Sequence, residues 1–138
     1  MWFSELHWSS KFRSHLSVHP AAARRHVMSK LNDITSDIIG AAIDIHRELG
    51  PGLLESAYEA CLVHDLQSRG RHVQAQTALP VRYRGVEIDC GYRLDLLVDD
   101  LVIVELKVVA GVLPIHQAQL LTYLKLSGRR LGLILNFH

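Results

Sequence analysis

Apolar positions recur along this chain with two different periods, and the change of period divides it into elements. Ile34, Ile38, Ala41, Ala42, Ile45 and Leu49 repeat at helical spacing, with Asn32 or Asp33 as the expected cap at the start. Gly50-Pro51-Gly52 ends that helix. A second stripe, Leu54, Ala57, Tyr58, Cys61, Leu62 and Leu66, predicts another helix that stops at Gly70. The period then shortens. Residues 72–83 alternate apolar and polar side chains, and Pro80 implies an edge or a bend in that strand. Residues 92–98 and 101–109 are nearly continuous apolar runs on either side of Asp99-Asp100, the pattern of a buried β-hairpin. Residues 115–126, behind Pro114 and ahead of Gly128, read as a helix, and residues 131–137 as a last apolar strand. From the second helix onward the order is α-β-β-β-α-β, an α/β (α+β) arrangement with an additional helix in front.

Residues 1–27 follow neither period. They carry four basic residues against one acid, a net of +3, whereas the remainder carries eleven basic against thirteen acidic, a net of −2. The segment lacks the apolar stretch of a secretory signal. It is therefore expected to be a flexible extension, with residues 28–138 forming one domain. The net charge of +1 excludes a long-range basic field, so any nucleic-acid contact has to come from a local patch. No apolar run approaches the roughly 20 residues of a membrane-spanning helix, and no membrane partner is expected. Cys61 and Cys90 form no CxxC pair, and no Cys/His cluster has zinc-ligand spacing. They read as free thiols in a reducing compartment, which makes the expected location cytoplasmic.

The residues that the strands need least for folding are charged. Asp95 stands in RLDLLV, and Glu105 and Lys107 stand in VIVELKVV. A buried charge is costly unless it is paired or bound to a metal. Glu105 and Lys107 are two apart and so point to one face of their strand. With the turn at Asp99-Asp100, Asp95 comes to the same end of the hairpin. Two carboxylates would suit Mg²⁺ or Mn²⁺, and an ammonium beside them would orient water or stabilise a phosphoryl transition state. The plain alternative is an ion pair of Glu105 or Asp95 with Lys107 or Arg93.

These residues carry a family resemblance. GPGLLESAYEACL, through Gly52, Glu55 and Tyr58, resembles the pattern that names the GxxExxY proteins, and GYRLDLLVDDLVIVELK and HQAQLLTYLKLSG are similar to that family's later blocks. The resemblance spans residues 30–137 and places the chain in the PD-(D/E)XK nuclease superfamily. It implies a restriction-endonuclease-like αβββαβ core, a mixed central sheet flanked by helices. It also implies that Asp95, Glu105 and Lys107 are the superfamily's catalytic set, with Asp95, Glu105 and Glu55 at the metal. Gln119 and Tyr123 resemble its Q-x-x-x-Y signature and would join the catalytic residues.

The implied activity is Mg²⁺- or Mn²⁺-dependent phosphodiester hydrolysis in DNA or RNA. Asp95 and Glu105 would hold the metal, and Lys107 would orient or activate the attacking water. A non-catalytic nucleic-acid-binding or protein-interaction module that keeps the fold is the competing class. Several other residues admit two readings. Glu55 suits the start of a helix in any protein, and Tyr58 serves equally as core or as a nucleic-acid contact. Gln119 and Tyr123 share a helix face and are either part of the site or a solvent-facing pair. Arg82 and Arg84 would share a strand face and line a phosphate track, or are ordinary solvated arginines. A homo-oligomer or a protein partner is open as a source of further substrate contacts.

Overall fold

A computed structural model describes residues 20–138 of the chain. Three helices and six strands follow in the order α1 (Pro20–Leu49), α2 (Glu55–Ser68), β1 (Val73–Ala78), β2 (Val81–Tyr83), β3 (Val86–Ile88), β4 (Arg93–Val98), β5 (Val102–Lys107), α3 (Pro114–Ser127) and β6 (Leu131–Asn136). The main sheet has the order β1-β4-β5-β6. β1 and β5 both run antiparallel to β4, and β6 runs parallel to β5, with α3 as the crossover. This is the expected mixed α/β sheet between helices.

Helix α1 begins well before the Asn32 or Asp33 cap expected from the apolar period. Pro20 at the first helical position and the alanines behind it favour helix without any apolar face. Residues 20–27 of the segment read as an extension are thus helical, and residues 1–19 lie outside the described part. The exposed stretch 21–30 precedes Leu31, the first core residue of this helix.

The strand expected over residues 72–83 divides at Leu79-Pro80, because proline cannot continue the hydrogen-bond ladder. Its second half, β2, pairs instead with β3 in a separate hairpin around Arg84-Gly85. The sequence pattern did not indicate β3, an exposed strand of three residues.

Two apolar clusters enclose the main sheet. On one face, Ile34, Ile38, Ala41 and Ala42 of α1 and Tyr58, Leu62 and Leu66 of α2 cover Leu96, Val98, Val102, Val104 and Leu106. On the other, Leu120 and Tyr123 of α3 cover Leu94, Leu97 and Ile103. Helix α3 comes so close to β6 that a Cβ on Gly132 would lie 2.6 Å from Leu120. Arg71 ties the first layer to the sheet. Its Nε donates to Asp37 of α1 at 2.7 Å, and its Nη1 donates to Asp99 of the β4–β5 turn at 3.0 Å.

Candidate active site

The β4–β5 hairpin turns at Asp99 and Asp100, both left-handed with φ of 51° and 59°, and closes through Leu101 N–H donating to Val98 O. This two-residue turn sets the register Leu96↔Val104. Continued by one position, that register would put Asp95 opposite Glu105, but the regular pairing stops there. The Asp95 side chain takes over, with Oδ2 accepting from the Leu106 N–H at 2.8 Å. The Asp95 N–H in turn donates to Glu105 Oε1 at 3.4 Å. Sheet alternation slips at the same point: Leu96 and Val98 belong to the α1/α2 cluster, whereas Leu94 joins Leu97 against α3. The two carboxylates therefore meet where the strands open.

Glu105 is buried, with 3% of its surface exposed. Burial first, and then the neighbouring Asp95 charge, raise its pKa to about 8, and the attraction of Lys107 opposes this only in part. Among the ion pairs of the described residues, none involves Asp95, Glu105, Lys107 or Arg93. The plain ion-pair alternative is thus not formed. Lys107 is fixed by its strand: Phe137 N–H donates to its carbonyl at 2.8 Å, and Asn136 exchanges two hydrogen bonds with Val109 just beyond it.

Helix α3 adds Gln119 and Tyr123, whose side chains face each other, Gln119 Nε2 donating to Tyr123 Oη at 2.7 Å. Tyr123 is buried. Burial raises its pKa, the hydrogen bond from Gln119 opposes the shift, and the charges of Glu105 and Asp95 add to it. The pair is thus not a solvent-facing one: Tyr123 is buried and Gln119 half-buried. His116, on the same helix, accepts the Leu113 N–H through Nδ1 and caps the first turn.

Helix α2 supplies Glu55 in its exposed first turn and, one turn later, Glu59. Burial raises the Glu59 pKa, a hydrogen bond from Gln76 lowers it, and the charges of Asp95 and Glu55 push it further up. Glu59 and Gln76 were not singled out in the sequence. The i, i+4 repeat of acids on α2 was the available signal for Glu59. Gln76 carried no such signal, because its placement depends on the sheet.

Three expected contacts are corrected. Tyr58 is fully buried, stacked on Phe137 with ring centroids 4.5 Å apart, and is core rather than a nucleic-acid contact. Its hydroxyl donates to Gly50 O and accepts the Leu53 N–H, which holds the loop leading into Glu55. Arg82 and Arg84 do not share a strand face. Arg84 lies in the β2–β3 turn with φ of 49° and stacks over Tyr83, and Arg82 is paired to Glu87 on that outlying hairpin.

A family model of the PD-(D/E)XK nuclease superfamily matches residues 32–138. The chain belongs to this superfamily. Comparisons with curated proteins and with solved structures give no match. PD-(D/E)XK nucleases generally use divalent metal ions, and the carboxylates here fit one chemically. They are hard oxygen donors, one of them is buried, and among the described residues neither is in a salt bridge. Among the described residues, no three His, Cys, Asp or Glu side chains are grouped so as to hold a metal ion. Asp95 and Glu105 are the two carboxylates that the opening of β4 and β5 brings together. No described helix is long and apolar enough to cross a membrane.

Proposed function

We propose that this chain is a Mg²⁺- or Mn²⁺-dependent nuclease of DNA or RNA, from the GxxExxY branch of the PD-(D/E)XK superfamily. One observation carries the reading: Glu105, buried beside Asp95 and in no salt bridge, at the point where β4 and β5 open. A carboxylate kept there weakens the fold unless something positive completes it. The Gly52–Glu55–Tyr58 motif supports the branch, since Tyr58 braces the loop from which Glu55 emerges.

Asp95 and Glu105 would hold the cation. A cation bound there would supply a more acidic water and offset charge on the phosphoryl oxygens. Lys107, on the same strand face as Glu105, orients the attacking water and stabilises negative charge that develops on phosphorus oxygens. Glu55 adds an acid from the start of α2. Tyr123, with its hydroxyl fixed by Gln119, offers a hydrogen-bond donor to a phosphate oxygen or to a Glu105 oxygen. The Asp95 carboxylate accepts a backbone N–H, which fixes its direction.

Purified protein should be incubated with labelled single- and double-stranded DNA and RNA in EDTA, Mg²⁺ and Mn²⁺, with Lys107→Ala in parallel. Metal-dependent cutting that falls by at least about a hundredfold in Lys107→Ala is the expected result. Folded wild-type protein that cuts nothing under any metal would exclude independent catalysis and favour the binding-module reading.

A further inference from the structure

Exposed apolar side chains collect at one end of the main sheet, the end toward which β5 runs and from which β4 starts. The β2–β3 hairpin leaves the sheet after Leu79 and the chain returns to it at Tyr92, where the Leu79 N–H donates to the Tyr92 carbonyl at 2.8 Å. Helix α3 crosses over between the parallel strands β5 and β6, so its first turn stands beyond Lys107 at that same end. Tyr83, Val86 and Ile88 of the hairpin, Tyr92, and Leu113 and Ile115 beside the start of α3 are between 42% and 67% exposed. Asp95 follows close behind, as the third residue of β4.

Tyr92 shares a sheet face with the carboxylates. Ile103 belongs to the cluster under α3, whereas Val104 and Leu106 belong to the one under α1 and α2, so alternation puts Glu105 on the α3 face. The Tyr92 ring meets Tyr123 of α3 at a centroid distance of 6.0 Å and an interplanar angle of 62°. Tyr123 is itself packed with Leu94, Leu97 and Ile103. Tyr92 is therefore held on the α3 face, about 10 Å along the strand from Asp95. Tyr123 covers at most one face of its ring, and 42% of the residue stays exposed.

A rim of this kind suits bases better than phosphates. In a duplex each base is paired and stacked on both sides, and freeing one is costly. A duplex is gripped instead through its phosphates, by lysines and arginines spread along the backbone. Residues 28–138 carry eleven basic residues against thirteen acids, and Arg69, Arg71, Arg82 and Arg129 are already taken up in ion pairs. A single strand needs fewer cations, because stacking of its open bases on aromatic rings supplies affinity without charge. A protein seated across this rim would close the end of the sheet at which the carboxylates lie, whereas a nucleic-acid strand has to cross it to present a phosphate to them.

We propose that the nucleic acid received at this end is single-stranded, and that Tyr92 is a positioning residue whose ring stacks on an unpaired base beside the phosphate presented to Asp95 and Glu105. This deepens the nuclease reading and rests on it for the place of the phosphate. Tyr123 backs the ring from α3 and keeps it in one position on the rim.

The test uses the full chain and fluorescein-labelled single strands of DNA and RNA, with blunt duplexes of the same sequences. Binding is followed by anisotropy in EDTA, cutting in Mg²⁺ and in Mn²⁺, and folding by the melting temperature. Tyr92→Leu keeps an apolar contact for Tyr123 but presents no ring. It should weaken single-strand binding roughly tenfold, the loss of one base–aromatic stack, and leave duplex binding and the melting temperature unchanged. Tyr92→Phe should bind like wild type. In cutting, Tyr92→Leu should raise KM with little change in kcat, the mark of lost substrate binding. Duplexes bound as tightly as single strands, Tyr92→Leu that binds like wild type, or Tyr92→Phe as weak as Tyr92→Leu would each overturn the proposal. So would binding lost only in step with a lower melting temperature. Single strands held through Tyr92 but cut under neither ion would sustain the single-strand stack and overturn the nuclease reading. Cutting that Lys107→Ala abolishes but that is indifferent to Tyr92 would sustain the nuclease reading and overturn the stack. Folded wild-type protein that neither binds nor cuts any of these probes overturns both.

Discussion

Glu105 shows how much one residue can reveal. The side chain is buried in an apolar strand, faces a second carboxylate, and has its pKa raised to about 8. A carboxyl whose pKa is higher folded than unfolded stabilises the protein fully below its unfolded value, and that stabilisation is lost as pH rises through the folded value. Metal-free protein should therefore lose stability between about pH 4.5 and 8, at up to roughly 1.4 kcal/mol per pH unit. Glu105→Gln removes the proton equilibrium and the repulsion from Asp95. Its unfolding free energy should vary less across that window, and at pH 8 it should exceed that of metal-free wild type. Chemical denaturation at several pH values measures both. If Glu105 were part of a structural ion pair, the substitution would instead cost stability at pH 8. Tyr58 teaches the complementary lesson. Its place in a motif suggested contact with substrate, yet its ring is core and its hydroxyl is committed to the loop before α2.

At the scale of elements, the site depends on how closely α3 lies against β6. Gly132 allows that approach, and any side chain there meets Leu120, which is itself buried. Gly132→Ala is predicted to cost about 1–3 kcal/mol through overpacking, read as a lower denaturation midpoint with an unchanged slope. Gln119 and Tyr123 ride on the same helix, so activity should fall as well, by more than the lost folded fraction explains. The β4–β5 turn is the second determinant. Asp99 and Asp100 occupy left-handed positions usually given to asparagine and glycine. They are secured from outside: Asp99 by Arg71 and the His72 N–H, and Asp100 by Arg129. A one-residue slip in that turn would send Glu105 to the opposite face of the sheet from Asp95.

For the whole molecule, cation binding and folding are linked. An ion that binds the native state stabilises it by mass action, about 2.7 kcal/mol at a hundred times the dissociation constant. Mg²⁺ or Mn²⁺ should therefore raise the melting temperature, and Asp95→Asn should abolish the increase. Below the folded pKa of Glu105 the cation has to displace a proton, so its affinity should rise with pH and level off above about pH 8. A melting temperature indifferent to both ions, over millimolar concentrations and this pH range, would contradict the assigned pair. Arg71 makes the effect global, because it joins α1 to the turn of the very hairpin that carries the carboxylates.

The sequence by itself determined the order of the principal elements and marked Asp95, Glu105 and Lys107 as charges set in apolar strands. Apolar periods of helix and strand are local properties of the chain. A charge inside a run such as VIVELKVV is visible without coordinates, because apolar neighbours make it expensive. Propensity without an amphipathic face hid the start of α1 at Pro20, and a proline-split strand hid β3. The tertiary structure alone decided which neighbours surround the centre. Burial of Tyr58, the outward direction of Arg82 and Arg84, and the reach of Gln76 to Glu59 all depend on register and packing between segments far apart in the chain. No local period encodes those relations, since they arise only when the sheet is assembled and the helices close over it.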